Sequence, residues 1–253
     1  MTPSTDVDLV VQRIVDGTVF APVKRGDVVA ETVARLGQAI GMGLLQPGDG
    51  LPSEVRLADD LGISLVSLRS ALTMLRGAGL VETRRGRGGG TFVTSDARRV
   101  LAVGDDSVPS EEQLRDLVDY RCVVEGGAAA LAAERATAAQ IAHLSGLAAA
   151  MRDVTSFPQW SERDTLLHLV IADASGSSRL TSEIGRIRSE VFRISRLVPV
   201  PAQARELADR EHRTLVRAIA RRQPDAARSV MVRHVESTGA LWLGLGRIAS
   251  TVG

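Results

Sequence analysis

Gly62 and Gly79 divide the stretch from Leu51 to Leu80 into two short amphipathic runs, and this punctuation constrains the fold more than any other feature of the 253 residues. Leu57, Ala58 and Leu61 recur at helical spacing after Leu51-Pro52-Ser53-Glu54, with Ser53 placed to cap the helix start. Ser64 caps the second run, whose Leu68, Ala71, Leu72 and Leu75 share one face. Two short helices joined by a few residues around a glycine outline a helix-turn-helix. An earlier helix is expected over about 26–43, on Val29, Val33, Leu36 and Ile40, broken by Gln46-Pro47-Gly48-Asp49-Gly50. After Gly79, residues 80–85 read as a strand and 91–94 as its partner, with Gly86-Arg87-Gly88-Gly89-Gly90 as a flexible basic hairpin tip. Three helices followed by an arginine-bearing hairpin predict a winged helix-turn-helix over 24–94.

The remainder reads differently. Residues 1–23 are expected to be a loosely ordered extension, and 95–110, with Gly104, Asp105, Asp106, Ser107 and Pro109, a linker. From Glu111 onward every segment has helical character, with helices near 111–135, 138–153, 158–174, 178–197, 202–222 and 224–246, and a tail over 247–253. Aromatic residues make up only 3% of the chain against a hydrophobic content of 44%, so the core must be built from Ala, Leu, Val and Ile, which favours helices. The fold class expected is mainly α: a winged helix followed by an all-α antiparallel bundle of six or seven helices.

Cys122 is the sole cysteine, which excludes an intrachain disulfide framework. The first residues carry Asp6, Asp8 and Asp16 instead of a basic, then apolar, leader, and no apolar run approaches membrane-spanning length. A cytoplasmic protein is expected. The net charge of +1 decides nothing by itself, but between Lys24 and Arg99 there are 11 basic residues against 8 acidic ones.

A helix that reads DNA needs short polar residues at its N-terminus to approach base edges and phosphates. Ser64, Ser67 and Arg69 occupy that stretch, and Arg56 lies on the preceding helix, which in such motifs crosses the backbone. On the wing, Arg84, Arg85 and Arg87 are placed to neutralise phosphates or enter a minor groove, and Gly88 within the glycine run lets the backbone come close. Any one of these arginines read singly is equally a solvated surface residue; the assembled pattern is what points to DNA.

These residues resemble a family. Gly48-Asp49-Gly50-Leu51-Pro52-Ser53-Glu54, Leu57-Ala58, Leu61-Gly62-Ile63-Ser64, Arg69-Ser70-Ala71-Leu72 and Gly79-Leu80-Val81 are similar to the N-terminal domain of the GntR family of bacterial repressors. Members of that family often carry arginine directly after the Ser-Glu pair, where this chain has Val55 followed by Arg56. They often carry arginine after the capping residue, where this chain has Leu65.

Three of the four histidines have suggestive spacing. Asp164 and His168 are four apart on one helix face. His212 lies 11 residues before Gln223 and His234 10 after Pro224, so antiparallel packing about that turn brings the two imidazoles level. A third helix presenting Asp164 and His168 inward then completes an Asp-His-His-His set suited to a divalent metal: zinc first, with nickel, manganese or iron as alternatives. A histidine on a helix is more often a surface or satisfied core residue, and His143 is read that way. Arg121 is either a carboxylate clamp or an ion-pair partner of Glu125 one turn on.

Residues 111–237 also resemble the FCD domain of the FadR-type branch of the GntR family, through Arg121 with Glu125, the Ala-rich run to Ala136-Thr137, Asp164-Thr165-Leu166-Leu167-His168, Glu211-His212, Ala218-Ile219, Ala226 and His234. In metal-binding members the matching Asp and three His hold a divalent ion. Ser177 stands where the family has Asn, and Leu167 where an aromatic often precedes the first His. The resemblance implies a homodimeric repressor that binds a palindromic operator and senses a small organic acid through the metal, Asp164, His168, His212, His234 and Arg121. Two other readings stay open: a metal-dependent enzyme with the winged helix as a tether, and an architectural DNA-binding dimer without an effector.

Overall fold

The computed structural model describes residues 19–20, 23, 28–86, 88–97, 109–154, 156–198 and 200–251. It is mainly α and packs as two compact units, Met1–Asp106 and Ser107–Gly253.

In the first unit, α1 (Val28–Gly41) buries Leu36, Ala39 and Ile40. Helix α2 (Glu54–Leu61) starts at Ser53, whose hydroxyl accepts from the Arg56 N–H at 3.4 Å. It ends at Gly62, where φ of 66° takes the left-handed turn that a side chain would resist. Helix α3 (Leu65–Gly77) starts at Ser64, whose hydroxyl accepts from the Ser67 N–H at 3.0 Å. Leu57, Leu61, Leu68, Leu72 and Leu75 fill the space between the helices.

Strands β1 (Val81–Arg84) and β2 (Gly90–Val93) pair antiparallel, with Val81 opposite Val93 and Arg84 opposite Gly90. A two-stranded hairpin alone is marginal in water. Here the loop before α2 fastens it: Gly50 bridges to Phe92, Leu51 N–H donates to Thr91 O at 2.8 Å, and Gly48 N–H to Val93 O at 2.9 Å. Gly89 is required at the tip, because a Cβ there would collide with the Arg84 carbonyl oxygen.

The end of the stretch expected to be a loose extension differs from that reading. Val19 and Phe20 are buried, and Val23 N–H donates to Leu61 O at 2.8 Å, so this apolar pair is withdrawn from water within the first unit. At the start of the expected linker Ala97 is likewise buried. Residues 98–108 of that linker, and Arg87 of the wing, lie outside the described residues.

The second unit contains α4 (Glu111–Arg135), α5 (Ala138–Ala150), a 3-10 turn (Met151–Asp153), α6 (Phe157–Ala174), α7 (Ser178–Leu197), α8 (Ala202–Ala220) and α9 (Pro224–Thr251). Capping boxes fix two of the starts, Ser110 with Gln113 and Thr137 with Gln140, while Ser156 and Ser177 cap α6 and α7. Helix α9 runs through most of the segment expected as a tail. The core is aliphatic, as the shortage of aromatics requires: Ala128, Ala129, Ala132 and Ala133 line the inner face of α4, and Leu114, Leu117, Ile187, Val191, Ile194, Val198 and Trp242 form a cluster. Helices α4 and α9 approach closely at Gly239, where a Cβ would collide with Val118. No described helix is long and apolar enough to cross a membrane.

Candidate functional site

Three helices of the second unit deliver four ligand-type side chains into its interior. Helix α6 carries Asp164 and His168 one turn apart on its buried face, α8 carries His212, and α9 carries His234. All four side chains are buried, and one ligand atom from each lies within 4.8 Å of the others. The ring centroids of His212 and His234 are 4.4 Å apart, those of His168 and His234 5.2 Å, and those of His168 and His212 5.6 Å. The turn at Gln223-Pro224 therefore brings His212 and His234 level.

The groups behind the cluster orient it. His168 Nδ1 meets Glu125 Oε2 on α4, and His234 Nδ1 lies 3.1 Å from Glu211 Oε2 on α8. With Nδ1 engaged by a carboxylate, each ring keeps Nε2 as the nitrogen free to bind a metal. Arg188 on α7 holds Asp164 through Oδ2. That leaves Oδ1 facing His212 Nε2 at 3.3 Å and His168 Nε2 at 3.9 Å. Among the described residues, Asp164 Oδ1, His168 Nε2 and both ring nitrogens of His212 have no hydrogen-bond partner. Buried polar atoms left in that condition typically cost about 1–3 kcal/mol each, so several converging on one point are unfavourable unless something binds there.

Electrostatics prepare the same groups as ligands. Burial, reinforced by the Arg188 guanidinium, lowers the His168 pKa to about 3, against the pull of Glu125 and Asp164. Burial and the neighbouring His212 lower that of His234. Both imidazoles are thus neutral. Burial opposes ionisation of Asp164, but the Arg188 guanidinium holds its carboxyl well below the usual carboxylate range. Glu125 is likewise held low, by Arg121 and His168 against the effect of burial. Neutral His168 and His234 beside an ionised Asp164 need no deprotonation before accepting a divalent cation.

Beside the cluster is a cavity of about 50 Å³, room for a few waters or a small acid, lined by Asp164, His234, Arg121, Arg188, Ser195 and Ser237 among others. Arg121 is wholly buried; its Nε donates to Glu125 Oε1 at 2.6 Å, and its guanidinium carbon lies 5.6 Å from the Trp242 ring centroid. Its NH1 and NH2 have no hydrogen-bond partner among the described residues. The ion pair with Glu125 therefore coexists with an open guanidinium edge. Arg188 was not anticipated from sequence, yet it had a signal: it sits on the buried stripe Ile184, Ile187, Val191, Ile194 of α7, where a charge is out of place. His143, on α5, is not part of the cluster.

In the first unit the residues expected to meet DNA lie on exposed surface or at caps. Arg56 is exposed on α2, 3.6 Å from Asp60. Ser64 caps α3 and lies 2.9 Å from Ser67, hydroxyl to hydroxyl. Arg69 reaches back to Glu54 at 2.8 Å. Arg84 pairs with Glu82 at 2.8 Å and stacks over Phe92 at 4.4 Å, whereas Arg85 is exposed. Gly88 has φ of 84°, as a hairpin tip requires.

Comparison with known proteins matches this two-unit arrangement. Residues 29–93 match the model for bacterial regulatory proteins of the gntR family, and residues 116–237 match the FCD domain. The chain is 33% identical over 217 residues to RmpR of Mycobacterium gastri, spanning 84% of this chain and 78% of that protein. It is 32% identical over 228 residues to the Glc operon transcriptional activator of Escherichia coli K12, spanning 83% of this chain and 86% of the relative. Similarity to the HTH-type transcriptional regulator LutR of Bacillus subtilis is 28% over 202 residues, 76% of this chain and 91% of that one. The solved structure of Escherichia coli McbR/YncC shares the fold, with a TM-score of 0.51 and 20% identity over 85% of this chain and 96% of that chain. The families and relatives matched are transcription regulators and not enzymes. The chain belongs to the GntR family of bacterial regulators: a DNA-binding winged helix-turn-helix followed by an FCD effector-binding domain.

Proposed function

We propose that this regulator is a cytoplasmic, homodimeric, metal-dependent repressor that binds a palindromic operator and is released from it by a small carboxylate. The observation that carries the reading is the convergence of unpartnered buried ligand atoms from Asp164, His168 and His212, with His234 beside them, at the edge of a cavity bearing the open edge of Arg121.

Asp164, His168, His212 and His234 would hold the ion, with zinc the first choice and nickel, manganese or iron as alternatives. The ion would supply a Lewis-acidic centre for a carboxylate or hydroxy-acid oxygen. The chain's own residues do the rest. Glu125 and Glu211 fix the orientation of His168 and His234, and Arg188 fixes Asp164. Arg121 offers two N–H groups to an incoming carboxylate while Nε stays paired with Glu125. An acid bound there touches α4, α6, α7 and α9 together, and its preference for one arrangement of these helices is what would shift the operator-binding equilibrium. A two-fold dimer matches paired half-sites, and occupancy of a promoter excludes polymerase. One relative is named an activator and others simply regulators, so the sign of regulation is the first thing to measure in cells.

The architectural alternative leaves the buried, unsatisfied imidazoles without a purpose, which is why an effector site is preferred. The test is operator binding by the full chain, zinc-loaded and chelator-stripped, across a panel of small 2-hydroxy acids. We expect at least one acid to weaken binding by the zinc-loaded protein, and Arg121→Met to abolish that response. Identical behaviour of loaded and stripped protein towards every acid would overturn the proposal.

A further inference from the structure

Four of the large hydrophobic side chains exposed among the described residues lie on α2 and α3: Val55, Leu65, Val66 and Met74. Val66 is 74% exposed, Val55 60% and Leu65 37%. Single exposed hydrophobics are ordinary, but these three stand at the first turns of adjacent helices, where polar residues serve the free N–H groups better. Packing does not explain Val66. The buried stripe of α3 is Leu68, Ala71, Leu72 and Leu75. At 3.6 residues per turn Val66 projects roughly opposite that stripe, and Leu65 lies on its flank. Val is also a weak helix former, so local propensity does not select it either.

The polar groups at the same tip are already engaged. Ser64 Oγ accepts the Ser67 N–H at 3.0 Å and lies 2.9 Å from Ser67 Oγ. Arg69 Nε is 2.8 Å from Glu54 on α2. Arg56 is 3.6 Å from Asp60. At its very start the free surface of α3 is therefore aliphatic, with the exposed Arg69 one turn further along. Only one group on a base edge in that groove is apolar, the 5-methyl of thymine.

We propose that Leu65 and Val66 are specificity-determining residues that read thymine methyl groups, so that each operator half-site has at least one thymine recognised by apolar contact and not by an arginine–guanine hydrogen bond. The inference rests on α3 being the recognition helix of the winged helix-turn-helix.

The test uses the full-length chain and a randomised synthetic duplex library. Selected sites are resynthesised with each thymine replaced in turn by deoxyuridine, which removes the methyl and nothing else. Burial of one methyl predicts about a fourfold loss of affinity for the replacement at a contacted position. Val66→Ala and Leu65→Ala should each bind the deoxyuridine duplex as well as the thymine duplex at one such position. Val66→Thr, which keeps the shape of an exposed side chain, should reduce the discrimination. The salt dependence of binding to an unselected duplex should not change in any of them, because phosphate contacts are untouched. Deoxyuridine without effect at every thymine, or full discrimination in both alanine variants, overturns the proposal while leaving the recognition helix in place. Failure of the zinc-loaded, acid-free chain to enrich any duplex overturns sequence-specific DNA binding and the proposal with it.

Discussion

Glu125 is the residue through which the metal site and the stability of the second unit are most tightly joined. Its carboxylate sits between Arg121 Nε, at 2.6 Å, and His168 Nδ1, and both partners are out of water. Glu125→Gln keeps the size and one acceptor but removes the charge that balances Arg121. Breaking a buried pair from one side costs about 3–5 kcal/mol, and because Gln still accepts a hydrogen bond the lower end applies. Solvent screening does not reduce this figure, since neither group is exposed. The same change weakens the orientation of His168, and loss of such an outer partner typically costs about 10–100-fold in metal affinity. Urea unfolding of chelator-stripped protein measures the first effect, and zinc titration against a competing chelator measures the second. The double variant Arg121→Met with Glu125→Gln removes the uncompensated cation, so it should recover much of the stability without recovering zinc affinity. Equal zinc affinity in Glu125→Gln and the parent chain would refute the reasoning, because it would mean that His168 is not a ligand or is not oriented by Glu125.

Three further outcomes follow from the geometry. The pKa of His168 is lowered on folding from 6.5 to about 3 and that of His234 is also lowered, so the unfolded chain binds more protons below about pH 6.5. Asp164 and Glu125, depressed on folding, add a loss of the same sign once the unfolded carboxyls begin to protonate, so unfolding midpoints of the stripped protein should fall steadily from pH 7 towards pH 4, and a flat profile would contradict the buried cluster. Gly89→Ala forces a Cβ onto the Arg84 carbonyl and should weaken operator binding, while the second unit's unfolding transition is unchanged; binding at the parent level would show that the wing plays no part. Arg69→Ala should weaken operator binding markedly, read by anisotropy of a labelled duplex, and unchanged binding would mean that the recognition helix has been misplaced.

Much of this was legible in the sequence for specific reasons. Two helix starts were readable because capping side chains mark them: Ser53 and Ser64 each accept a hydrogen bond from the first turn of the following helix. His212 and His234 could be paired because a short turn between long helices leaves one parameter, the distance from the turn. Val19 and Phe20 were misread as part of a loose extension because two apolar residues are too few to show a period, and their burial depends on a tertiary surface that sequence does not display. Arg188 was hidden among 30 arginines, although its place on an apolar stripe distinguished it. The role of Arg121 could not be chosen from spacing alone, since a guanidinium can pair through Nε with Glu125 and still present its other nitrogens to the cavity.

Whether Asp164, His168, His212 and His234 hold a metal is decided most directly by elemental analysis of the full chain purified without chelator, beside its His212→Ala variant. The account predicts about one divalent ion per chain in the parent protein and a large loss in the variant. A parent protein free of metal, or a variant that retains the same content, would contradict it.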